Sequence, residues 1–197
     1  MSPRPWLLAA LWSLSTALSA APEVERENQF YGVTGIAPSE IRASLERSGP
    51  VGRSGRRFHA STRWNVEWGL RWIQSGPRCQ LHRPQVSLKI TLLMPRLEPA
   101  NGRSETTLQQ WQNYYQALYD HELEHADIAL RAANELQAVL GDLQGWMACD
   151  RLEQRVNDRA DEVLEKYVEM EQEFDRRTDH GARDGVVLPW ATATGFR

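Results

Sequence analysis

From Ser104 to Arg176 apolar side chains recur every three or four residues, and the pattern breaks only once, at Gly141-Asp142-Leu143-Gln144-Gly145. Leu108, Trp111, Tyr115, Leu118, Ile128, Ala129, Ala132, Leu136 and Val139 mark a first helix of about Ser104 to Leu140, with Ser104 placed to cap it. Cys149, Leu152, Val156, Val163, Tyr167, Met170 and Phe174 mark a second, about Trp146 to Arg176. Two long helices joined by so short a turn lie antiparallel, side by side, so the helical half of the chain is a hairpin. The many Glu, Asp and Arg side chains of the second helix read as its solvated face.

Within the first helix stands His121-Glu122-Leu123-Glu124-His125. Positions i and i+4 share one face of a helix, so the two imidazoles can grip one metal ion together. Glu122 then lies beside that ion, placed to take a proton from a metal-bound water, the arrangement by which zinc hydrolases make a nucleophile near neutral pH. Both histidines fall on or beside the apolar stripe, where buried ring nitrogens need partners. Core histidines bonded to carboxylates would satisfy the same positions without a metal.

The preceding half carries strand and turn signals. Gln29 to Thr34 is a short strand candidate, and Ala37-Pro38-Ser39-Glu40 opens a helix that stops near Ser48-Gly49-Pro50. Thr62, Trp64, Val66, Trp68, Leu70 and Trp72 alternate with Arg63, Asn65, Glu67 and Arg71, the period of one long half-buried strand. Its tryptophans read as the core of a small sheet rather than as a carbohydrate platform, because the opposite face is plainly polar. Val86 to Leu93 is a partner strand, and the two are expected to form an antiparallel ribbon ended by Pro95 and Pro99. The expected fold class is therefore α+β: a small antiparallel sheet followed by a long two-helix hairpin, zincin-like.

Residues 1–21 read as a secretory signal. Arg4 supplies the positive start, Trp6 to Leu18 is almost uninterrupted apolar sequence, and Ala17-Leu18-Ser19-Ala20-Ala21 offers small residues for cleavage. The apolar run is short for a bilayer span, so no stable membrane insertion is expected after cleavage. Removing it takes one Arg from the 23 basic side chains and none from the 26 acidic ones, leaving a net charge of −4. That excludes the concentrated basic face of a nucleic-acid partner. Residues 22–197 suffice for a single domain with its own core, ending in a loose tail over about 186–197. A periplasmic or secreted location is expected. In an oxidising compartment Cys79 and Cys149, the two cysteines of the chain, are expected to form a disulfide.

A catalytic zinc needs a third protein ligand and an open position. One candidate is His180; the other is a second-helix carboxylate. With the turn near Asp142, a straight hairpin brings Asp158, Asp161, Glu162 or Glu165 level with the histidine pair, whereas His180 overshoots by more than about 20 Å. Tyr167, Tyr119 and Arg159 are the candidate donors to a tetrahedral oxyanion.

Several segments together resemble a known family: the predicted secreted zinc-dependent proteases of bacteria, formerly a domain of unknown function. They are Tyr31-Gly32-Val33-Thr34-Gly35, Thr62-Arg63-Trp64-Asn65-Val66-Glu67-Trp68, Leu93-Met94-Pro95, the His-Glu-Leu-Glu-His helix, and Phe174-Asp175 with Thr178-Asp179-His180-Gly181 and Gly185. The likeness spans about residues 28–185, with Phe174 standing where the family has Tyr. It implies an exported metallopeptidase with one Zn2+ per chain, acting on a peptide or protein substrate, and it favours His180 as third ligand. The expected site is therefore Glu122 as base with His121, His125 and His180 on the metal. A non-catalytic exported metal-binding or partner-binding protein is the alternative, and amidase action on cell-wall peptides a third reading.

Overall fold

Which strand sits in the middle of the sheet decides where the two long helices can dock. The computed structural model describes residues 21–52 and 55–188; most of the expected signal and the chain after residue 188 lie outside them. In chain order the elements are β1 (Glu23–Val33), α1 (Pro38–Ser48), β2 (Ser61–Gly69), β3 (Trp72–Ser75), β4 (Arg78–Leu81), β5 (Gln85–Leu97), α2 (Glu105–Gly141), β6 (Met147–Ala148) and α3 (Cys149–Thr178), then a single 3-10 turn at Ala182–Asp184. The fold is α+β, with two three-stranded sheets and three helices among the described residues.

The first sheet has the order β1-β5-β2. β5 is central, and its Val86, Leu88, Ile90, Leu92 and Met94 are all buried on one face. β2 pairs with β5 antiparallel, Trp64 opposite Ile90, as the alternation required. β1 pairs with β5 in parallel, so the sheet is mixed rather than antiparallel. β1 also starts at Glu23, earlier than its apolar pattern showed, because Glu23, Glu25, Arg26 and Glu27 face solvent on an edge strand. The long alternating run does not stay in one strand. It breaks after Gly69, and Trp72 enters β3 of a second sheet, order β3-β4-β6, where it is 44% exposed. Period two records which face a residue takes, not which sheet it joins.

Helix α2 begins where Ser104 Oγ accepts the Thr107 amide at 3.1 Å and runs unbroken to Gly141. Its buried face, including Trp111, Tyr114, Leu118, Ala129, Ala133 and Leu136, covers the inner face of β5. Gln137 ties the two together, accepting from the Val86 amide at 2.8 Å and donating to the Pro84 carbonyl at 2.9 Å.

The hairpin register differs from a simple fold-back at Asp142. Glu135 of α2 meets Lys166 at 2.6 Å and Tyr167 at 2.9 Å of α3. At about 1.5 Å per residue, α3 reaches roughly 25 Å back from Lys166 to its start, while α2 continues only roughly 9 Å beyond Glu135. Helix α3 therefore overhangs the end of α2. The overhang follows from the linker, which detours to form β6 against β4 before α3 starts at Cys149. A Cys79–Cys149 disulfide fastens that detour. Closing the intervening loop contributes about 4 kcal/mol in the chain-entropy model. At the other end the expected loose tail is partly held: Val186 donates its amide to Gly181 O at 3.0 Å, and Leu188 is buried.

Candidate metal centre

One helical turn of α2 brings His121 and His125 together, their ring centroids 5.0 Å apart and nearly perpendicular. Phe174 of α3 fixes both, stacking on His121 at 4.8 Å and meeting His125 edge-on at 5.0 Å. The next residue of α3, Asp175, supplies the third group. Its Oδ1 lies 3.3 Å from His121 Nε2 and 3.1 Å from His125 Nε2. The three donor atoms all fall within 4.8 Å of one another. Ligands about 2.0–2.1 Å from a tetrahedral zinc stand about 3.3 Å apart, so the two separations from Asp175 are close to those of a zinc shell.

Each ring has a carboxylate behind it. His125 Nδ1 is 3.6 Å from Glu171 Oε1, and the same oxygen accepts Trp64 Nε1 at 2.8 Å. His121 Nδ1 is buried and makes no hydrogen bond; its closest carboxylate is Asp184 Oδ2 at 3.9 Å. Carboxylates at that position orient an imidazole so that its other nitrogen faces a metal.

Glu122 reaches toward β2. It is 6% exposed, and Thr62 Oγ1 donates to its Oε2 at 2.7 Å and lies 3.0 Å from its carbonyl oxygen. Burial raises its pKa, against the lowering influence of the Thr62 hydroxyl and the two nearby histidines. Burial alone would lower the pKa of His125. Its hydrogen bond with Asp175, the close Glu171 carboxylate and the Glu122 and Asp175 charges outweigh that and raise it to about 10. Burial pulls Asp175 upward, but the His121 and His125 hydrogen bonds hold it well below the usual carboxylate range. The cluster thus holds positive charge between its rings and the Asp175 carboxylate, as a proton or as a cation.

His180 does reach the site, although the straight-hairpin arithmetic denied it. Because α3 overhangs α2, the level of the histidine pair falls at the end of α3. Asp179, His180 and Gly181 then take positive φ values of 52°, 50° and 83°, and turn His180 back toward the helix. His180 Nδ1 lies 3.3 Å from Asp175 Oδ2, the oxygen opposite the one between the rings, and the side chain is 38% exposed. Gly181 packs on His121, since a Cβ there would stand 3.1 Å from the His121 Cγ.

The four candidate carboxylates Asp158, Asp161, Glu162 and Glu165 are exposed and lie beside or beyond the last two turns of α2, away from the histidines. Glu162 pairs instead with Arg159. The expected oxyanion donors are also engaged elsewhere: Tyr167 with Glu135, Arg159 with Glu162, and Tyr119 stacked on Tyr115 at 6.4 Å. Spacing arguments overlooked Asp175, Glu171, Asp184 and Thr62. The available signal for Asp175 was its place beside Phe174, inside the segment that carried the resemblance.

Over residues 28–181 the chain matches a family model described as "Bacterial protein of unknown function (DUF922)". No curated protein and no solved structure gives a significant match.

Proposed function

The chain belongs to the bacterial DUF922 family of unknown function, and we propose that it is an exported zinc metallopeptidase with a zincin-like site. The observation that carries this reading is the convergence of His121 Nε2 and His125 Nε2 on Asp175 Oδ1, at 3.3 and 3.1 Å, beside a buried glutamate. Two imidazoles and a carboxylate are a donor set zinc accepts, and three protein ligands leave a position for solvent.

In this reading His121, His125 and Asp175 hold the ion. His180 takes a supporting place, its Nδ1 against Asp175 Oδ2, rather than the third ligand position expected from the resemblance. Bound there, a zinc ion supplies Lewis acidity toward a carbonyl and acidifies a water near pH 7.

The chain's own residues do the rest. Glu122 accepts the proton of the attacking water and returns it to the leaving amine; its raised pKa suits a group that must both take and give near neutrality. Thr62 engages Oε2, so the water's proton is assigned to Oε1. Glu171, 3.6 Å from His125 Nδ1, and Asp184, 3.9 Å from His121 Nδ1, are the carboxylates placed to take up those ring nitrogens once the ion is bound. β2, an edge strand of the first sheet, offers an unpaired backbone edge beside Glu122 on which an extended peptide can lie. The strand of Val86 cannot do so, because β5 is paired on both sides.

Metal analysis with a protease assay on an unfolded protein pool tests the proposal. Wild type is expected to hold one zinc per chain and to cleave. Glu122→Gln should keep the zinc and lose turnover, and His125→Ala should lose both. Cleavage unchanged in Glu122→Gln, or no zinc in wild type dialysed against it, refutes the reading.

A further inference from the structure

The second sheet presents an outer face that the proposed site does not use. The register places Ile73 opposite Gln80, Ser75 opposite Arg78, and Arg78 opposite Ala148. Paired residues share a face and alternate residues return to it, so Arg71, Ile73, Arg78, His82 and Trp146 all lie on the outer side. The inner side carries Cys79 and Leu81, both buried. On or beside the outer face Ile73 is 48% and Trp146 38% exposed, while the edge residue Trp72, paired with Leu81, belongs to the opposite side. Lone exposed apolar residues are ordinary, but Ile73 and Trp146 stand among the arginines of one small disulfide-fastened sheet.

The charge of the same region is one-sided. Residues 69–84 contain Arg71, Arg78, Arg83 and His82 and no acidic residue, in a chain whose formal net charge is −3. Arg71, Arg78, His82 and Arg83 are all exposed. Arg78 donates to the Trp146 carbonyl at 2.7 Å, and none of the three arginines is paired with a carboxylate among the described residues.

We infer that the outer face of the β3-β4-β6 sheet docks on an anionic phospholipid surface. Indole rings sit at the headgroup level of a bilayer, an aliphatic side chain enters the acyl boundary, and arginines meet lipid phosphates. A nucleic acid would offer the arginines phosphates too, but it gives an exposed isoleucine nothing to enter. The patch lies at the start of α3, roughly 39 Å along that helix from Asp175 at about 1.5 Å per residue. The two surfaces share no residue, and the proposal stands or falls separately from the peptidase reading.

The test is co-sedimentation of the full chain with vesicles of phosphatidylcholine alone or with 30 mol% phosphatidylglycerol, at low and high salt. Every variant keeps the same N terminus, so differences report on the sheet. Binding is expected to be at least tenfold stronger to the anionic vesicles and to weaken with salt. Arg71→Glu with Arg78→Glu should lower it by more than tenfold, since each removed charge is worth roughly fivefold. Ile73→Ser should lower it about threefold on either vesicle, while Arg26→Glu on β1 should change it less than about twofold. Melting curves show whether each variant is folded; if the double variant is not, Ile73→Ser and the salt dependence decide. Equal binding to both vesicles, no loss in the folded variants, or tighter retention of a polyuridylate 30-mer than of vesicles at equal phosphate overturns the proposal.

Discussion

Replacing Asp175 by Asn keeps the shape of the side chain and a carbonyl-type oxygen while removing the charge between His121 and His125. In chelator-treated protein burial disfavours the His125 charge, but that carboxylate, with Glu171 and Glu122, raises the His125 pKa from 6.5 to about 10, and the histidines in turn hold Asp175 low. A raised histidine pKa stabilises the fold fully below the unfolded value near 6.5, and the contribution disappears as pH climbs toward 10. A depressed aspartate pKa stabilises above the unfolded value near 3.8, and the contribution disappears as pH falls below it. The pair is therefore fully effective between about pH 4 and 6.5. Breaking a buried pair by removing one partner costs about 3–5 kcal/mol; with Asp175 partly exposed, the lower end applies. For a domain of this size about 3 kcal/mol corresponds to a Tm difference of about 6–12 °C. Thermal melts of metal-free wild type and Asp175→Asn should therefore differ by about that amount at pH 6 and converge by about pH 10. Other titrating groups, such as His59, whose pKa burial lowers, act in both proteins and drop out of the comparison. A wild-type Tm that stays parallel to the variant's from pH 6 to 10 would show that the carboxylate does not hold the rings as described.

Two further outcomes follow from the same contacts. Thr62→Val removes the hydroxyl that donates to Glu122 Oε2 at 2.7 Å, so the Glu122 pKa should rise further. The acidic limb of the kcat/KM profile should then move up by about one pH unit, with zinc content unchanged by metal analysis. Gly181→Ala puts a methyl group at a φ of +83°, 2.7 Å from Val186 Cγ2 and 3.1 Å from His121 Cγ. A loss of about 1–3 kcal/mol in urea unfolding is expected, together with weaker zinc retention in competition with a chromogenic chelator.

The strands and helices were legible in the sequence wherever one face of an element is buried and the other wet. The β2–β5 pairing, Ser104 as the cap of α2, and the single-face placement of His121 and His125 all follow from period two or period 3.6. Elements without that contrast were misjudged. The charged start of β1 is held by backbone pairing to β5, which leaves no mark on side-chain pattern. The alternation from Thr62 to Trp72 ran on across a break between two sheets.

The local chemistry of the site, two imidazoles and a carboxylate on one turn of helix, was set by the sequence, because spacing along a helix fixes direction. What completes the site was set only by tertiary structure. The choice among α3 carboxylates depends on how far one helix slides along the other, and that slide is set by the β6 detour and the Cys79–Cys149 link, not by the composition of either helix. An overhang of roughly 16 Å, together with the residues spent in the linker, exchanges Asp158 for Asp175 beside the histidines. No count along the chain contains that distance.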